Sequence, residues 1–174
     1  LGDGNYIFVG SSCDMFAKKI PHDWIVDVLT KANGYGNSYL FQSKNPERMV
    51  NYLADEYLAR PFSICTTIET NREYDLEIMG CAPPPFARAM AMNVGRQAHL
   101  TTMLTIEPIM DFDLDEMVDL ARMVAPVQVN IGADSKGNHL PEPEPRKLRE
   151  LIEYLQATTL VVRKSNLRRL LGET

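Results

Sequence analysis

Short apolar runs and amphipathic stripes take turns along the whole chain, and the alternation predicts its elements. Residues 6–10 (YIFVG) read as a strand buried on both faces. Pro21 and Asp23 open a helix whose Ile25, Val28, Leu29 and Ala32 form one stripe, and Gly34 to Asn37 turn the chain. Residues 38–41 give a second strand. Asn45 and Pro46 then supply a capping side chain and a first helical residue, with Met49, Val50, Leu53 and Tyr57 inward and Pro61 ending the helix. Residues 62–68 are a third strand.

The pattern weakens over residues 70–85, a long connection of the kind that often serves as a lid or binding loop. A helix is predicted over 86–97, where Ala87, Ala89, Met90, Ala91 and Met92 read as packing surface. Strand 100–106 follows. Asp113 with Glu116 predicts a capping box ahead of an inward stripe of Leu114, Met117, Val118, Ala121 and Val124. Residues 127–131 form a fifth strand. The next helix carries Leu148, Leu151, Ile152 and Leu155, residues 159–162 form a sixth strand, and a short helix holds Leu167, Leu170 and Leu171.

Strands and helices alternating at roughly the 30 residues of a βαβ step imply parallel strands with right-handed crossovers. An open doubly wound sheet and part of a β/α barrel both satisfy this. In the first, only strands beside the switch point need functional ends. Here nearly every strand runs into polar residues, which fits a ring-like rim. A complete barrel takes about 250 residues, so 174 residues predict one partial, open TIM-like barrel domain spanning the chain. Because Leu1 is followed almost at once by a strand, an upstream first βα unit is expected to be missing.

Net charge of −5 argues against a nucleic-acid-coating surface. No apolar run approaches the ~20 residues of a membrane span and no signal-peptide pattern opens the chain, so a cytoplasmic protein is expected. Cys13, Cys65 and Cys81 are too widely spaced for a disulfide framework or a zinc site, and His22, His99 and His139 have no ligand spacing. Gly34-x-Gly36 follows a helix instead of a strand, which disqualifies it as a dinucleotide loop, and no Gly-x-Ser-x-Gly elbow occurs.

Chemistry therefore concentrates at the strand ends. Parallel strands would gather Ser11, Ser12, Cys13, Asp14, Ser43, Lys44, Asn45, Glu69, Asn71, Arg72, Glu107, Asp111, Asp134, Arg163 and Lys164 on one face. Such a set can bind a zwitterion, carboxylates taking an ammonium and Lys or Arg a carboxylate. Glu69 and Glu107 each follow Thr-Ile at the end of a strand, and as a pair they are candidates for acid/base catalysis. The competing expectation is that they form rim ion pairs with Arg72, Lys44 or Arg163. The cluster Arg163, Lys164, Arg168 and Arg169 reads as a solvated helix face.

Three stretches carry a family resemblance: IFVGSSCDMF (7–16), LFQSKNPERM (40–49) and TIEPIMDFD (105–113). Together they resemble the phage-associated, radical-SAM-like barrel proteins of undefined substrate, a group distantly similar to spore photoproduct lyase. The resemblance implies S-adenosylmethionine bound beside a four-iron, four-sulfur cluster and cleaved reductively to a 5′-deoxyadenosyl radical. By it, Gly10, Ser11 and Ser12 meet the cofactor's amino group, and Glu69 and Asn71 its ribose and amino-acid part. Glu107 and Asn130 face the same cavity. Lys44, Asn45, Arg72, Asp111, Asp134 and Arg163 are left for the substrate.

The family's Cys-x-x-x-Cys-x-x-Cys loop is absent, and the spacing of the three cysteines cannot replace it. The cysteine loop is expected upstream of Leu1, and the chain as given is expected to hold no cluster. Two alternatives compete with this reading. One is a non-catalytic ligand-binding or assembly module whose exposed sheet edge is covered by a partner or a second copy. The other is a cofactor-independent enzyme using Glu69 and Glu107.

Overall fold

The computed structural model describes residues 2–54 and 62–173. Six parallel strands lie side by side in chain order: β1 (Tyr6–Val9), β2 (Ser38–Gln42), β3 (Phe62–Thr67), β4 (Thr101–Ile106), β5 (Gln128–Ile131) and β6 (Leu160–Arg163). Consecutive strands pair throughout, from Tyr6 beside Ser38 to Ile131 beside Arg163. The sheet curves into an open half-barrel, with one concave face and helices on the other. The predicted partial β/α barrel is thus the observed fold.

The helices are α1 (His22–Asn33), α2 (Pro46–Leu53), α3 (Leu76–Met79), α4 (Pro85–Gln97), α5 (Leu114–Val124), α6 (Pro145–Gln156) and α7 (Arg168–Leu171). Alternation along each strand divides the two faces. Phe41, Ile64, Leu104, Ile106, Val129 and Ile131 point to the convex side and are fully buried under the helices. Phe16, Tyr39, Phe41 and Phe62 pack there with ring centroids 5.5 to 6.4 Å apart, each pair adding about 1 kcal/mol beyond area burial. Buried hydroxyls on this side are bonded: Thr66 Oγ1 donates to the Ser43 carbonyl (2.8 Å) and Thr102 Oγ1 to that of Val124 (3.0 Å).

Several expectations need correction. β1 is an edge strand instead of a doubly buried one, and Tyr6 and Phe8 are exposed on the concave side. Val28 is exposed, because it lies off the line of Ile25, Leu29 and Ala32 on α1. On α4, Ala87 and Met90 face outward while Ala89, Ala91 and Met92 pack. The weakly patterned 70–85 segment contains α3, a single turn with no buried residue and hence no periodicity to read.

Neither predicted cap forms. Asn45 Nδ2 donates to the Phe16 carbonyl (3.0 Å), and the Asp113 and Glu116 carboxylates are taken up by Asn71 and Arg72 from the loop after β3. The expectations for Tyr57 and Pro61 lie outside the described residues. Among the described residues, no helix is long and apolar enough to cross a membrane.

Candidate functional site

The concave face encloses a cavity of about 900 Å³ to which all six strands contribute. This lies within the ~300–1,000 Å³ of small-molecule sites. Its floor is built from every second strand residue. Ser63, Cys65 and Thr67 come from β3, Thr101, Met103 and Thr105 from β4, and Gln128 and Asn130 from β5. These are uncharged donors and acceptors. Gln128 Nε2 donates to Asn130 Oδ1 (2.8 Å), and Gln42 Nε2 donates to Thr67 Oγ1 (3.1 Å). Cys65 Sγ lies 3.4 Å from Thr105 Oγ1, and burial pushes its thiol up to about 12, against a small opposing effect of that contact. A thiol held neutral in this way is inert as a nucleophile.

Charge enters only at the carboxyl ends of the strands. Gly10 closes β1 with φ of 74°, a conformation that L side chains rarely adopt, and its carbonyl accepts from the Cys13 N–H (3.0 Å). The resulting turn brings Ser11, Cys13 and Asp14 to the mouth. Asp14 then clamps this loop to the next one. Its Oδ1 accepts from Ser43 Oγ (2.7 Å) and the Phe16 N–H (3.0 Å), and its Oδ2 accepts from the Lys44 N–H (3.0 Å).

Lys44 reaches into the mouth and pairs with Glu69 Oε1. Glu69 itself is 4% exposed and does not line the cavity. Its Oε2 accepts from Arg88 Nη1 at 2.8 Å, and Arg88, on α4, is fully buried. The Arg88 guanidinium also donates to the carbonyls of Thr67 (2.5 Å) and Pro83 (2.8 Å). Burial pushes the Glu69 carboxyl up, but Arg88 and Lys44 more than offset this and hold it below its ordinary value. Across the mouth, Glu107 lines the cavity and pairs with Lys164. Gly132 makes room for it: a Cβ there would lie 2.7 Å from Glu107 Oε1.

The anticipated common rim therefore separates into two groups. Gly10, Ser11, Lys44, Glu107 and Asn130 come together on the cavity, along with Cys13, Asp14, Ser43 and Lys164. Ser12, Asn45, Asn71, Arg72, Asp111, Asp134 and Arg163 do not line it. Asn71 and Arg72 fasten the loop after β3 to the start of α5: Asn71 Oδ1 accepts from the Asp113 N–H (2.8 Å), and Arg72 reaches Asp111 and Asp113. Lys147 of α6 joins them at Asp111. Asp134 closes its own turn by accepting from the N–H groups of Lys136 and Asn138, and Arg163 pairs with Glu173 (3.2 Å). Lys164 leaves the basic cluster for the cavity, because β6 points every second residue inward.

Sequence reasoning found Asn130 but passed over Arg88 and Gln128. Arg88 is the one charged residue in the Ala- and Met-rich first half of α4, and the floor follows the period of two. No family model matches the chain, and no curated protein does either.

Proposed function

We propose that the concave face binds an adenosyl amino acid of the S-adenosylmethionine type, as in the radical-SAM-like barrels that the sequence resembles. One observation carries the reading. The three stretches behind the resemblance all reach the same cavity, through Gly10, Ser11, Cys13 and Asp14, through Ser43 and Lys44, and through Glu107. Asp14 joins the first two by hydrogen bonds. The residues fit such a ligand: floor hydroxyls and amides for a base and ribose, and paired charges at the mouth for the amino-acid end. Gly10 and Ser11 contribute backbone groups at the end of β1, and Asn130 an amide from β5.

The cysteines do not fit a four-iron cluster. Cys13 and Cys81 are exposed, Cys65 is locked in the floor, and among the described residues no three His, Cys, Asp or Glu side chains converge as a metal-binding set. No radical step is therefore assigned to these residues, and cluster ligands would have to come from outside the described residues. Direct acid/base catalysis by Glu69 is disfavoured, because two cations hold it ionised.

Calorimetric titration with S-adenosylhomocysteine tests the reading. Saturable binding is expected, with at least tenfold weakening when Asn130→Phe fills the floor. A folded protein that takes up no ligand counts against it.

A second reading, an assembly module, draws on the free edges. β1 and β6 each have one neighbour, and Tyr6, Phe8, Leu160 and Val162 are exposed there. A concentration-dependent dimer by light scattering, lost in Phe8→Glu, would favour it.

A further inference from the structure

A fully buried arginine needs a reason, since burying a guanidinium is costly unless every part of it is matched. Among the described residues Arg88 has one acidic partner, Glu69, which it meets with a single nitrogen. The Glu69 carboxylate does not stop there: its other oxygen takes the Lys44 ammonium. Two cations thus share one anion, and the trio carries a surplus of one positive charge. Exposure falls steeply through the trio, from 45% for the Lys44 side chain to 6% for Glu69 and none for Arg88. The surplus therefore faces outward at Lys44, which lines the cavity.

The other charged groups of the mouth do not behave this way. Lys164 and Glu107 match one to one. Asp14, the other carboxylate touching residue 44, has its oxygens committed to the Ser43 hydroxyl and to the Phe16 and Lys44 N–H groups. An ammonium offers three donors, and Glu69 Oε1 occupies one of those of Lys44.

We infer that Arg88, Glu69 and Lys44 form a positioning relay that fixes the Lys44 ammonium to receive a carboxylate of the bound ligand. Arg88 and Glu69 never touch that ligand. They replace the freedom of a lysine side chain with one orientation, so less is lost when the carboxylate arrives. This rests on the adenosyl amino acid reading and names the end of that ligand which the β2 side of the mouth recognises.

The test compares S-adenosylhomocysteine with its decarboxylated counterpart, S-adenosyl-3-thiopropylamine, which keeps the amine and the adenosyl group. Affinities of the whole chain for both are measured by calorimetry. The native chain should prefer the carboxylate ligand by about tenfold or more, the factor a charged hydrogen bond supplies. Lys44→Met, at a half-exposed position, should abolish the preference for the carboxylate ligand over its decarboxylated counterpart, while Lys44→Arg should keep it. Arg88→Lys, checked as folded by circular dichroism, should reduce the preference without altering binding of the decarboxylated ligand. Equal affinities in the native chain, or a preference that survives Lys44→Met, overturn the relay and leave the cofactor reading standing. Binding of neither ligand overturns both.

Discussion

Two clusters of lysine, arginine and carboxylate sit at the carboxyl end of the sheet, alike in composition and opposite in placement. The inner one joins Lys44, Glu69 and Arg88 behind the cavity, with two of its three members buried. The outer one joins Arg72, Asp111, Asp113 and Lys147 along the start of α5, where Asp113 is exposed and Arg72 half-buried. The difference follows from the strand period. Glu107 continues the inward phase set by Thr105, two residues earlier, and Glu69, two residues past Thr67, sits behind the cavity between Lys44 and Arg88. By residue 71 the chain has left the sheet and the phase no longer applies, so Asn71 and Arg72 turn toward the helix layer. Charge type alone does not tell a site from a staple.

Substitutions should widen this contrast. The largest effect is expected inside: Arg88→Met leaves the Glu69 carboxylate buried without its main partner and should cost about 3–5 kcal/mol. Urea denaturation checks this through a lower midpoint at unchanged slope. A cost near zero would mean that Glu69 escapes to solvent and the inner cluster resembles the outer one.

Acid titration addresses the outer cluster. The Arg72 hydrogen bond, against a smaller effect of burial, holds Asp113 at about 2 instead of its ordinary 3.8. Asp111 is also lowered, since Lys147 and Arg72 outweigh its partial desolvation. Carboxyls depressed by folding add stability above their unfolded values, and that stability drains away as pH falls through the folded ones. The melting temperature should therefore drop between pH 4 and pH 2, and Arg72→Met should have a shallower acid limb over the same range.

The smallest effect belongs to the exposed Arg146–Glu150 pair on α6, where Glu150→Gln should shift stability by no more than about 0.5 kcal/mol. A larger change by the same denaturation assay would show that surface pairs in this protein count for more than their exposure allows.

The strand and helix order was legible because both faces of a central parallel strand leave a mark. Convex residues such as Ile64 and Leu104 are apolar, and concave ones such as Thr67 and Thr105 are small and polar. Edge strands leave half of that mark, which is why YIFV reads as doubly buried although Tyr6 and Phe8 are exposed. The site was legible where it lies in phase with a strand, at Gly10, Lys44, Glu107 and Asn130. It was illegible where tertiary partners decide: nothing local tells Asn45 to seek the Phe16 carbonyl, or Arg88 to cross from α4 to the end of β3.

The order of the strands also sets a span. Neighbours in a sheet stand about 4.8 Å apart, so four steps separate Lys44, just past β2, from Lys164, just past β6, roughly 19 Å measured along the curve. The two lysines therefore stand on opposite banks of one trough.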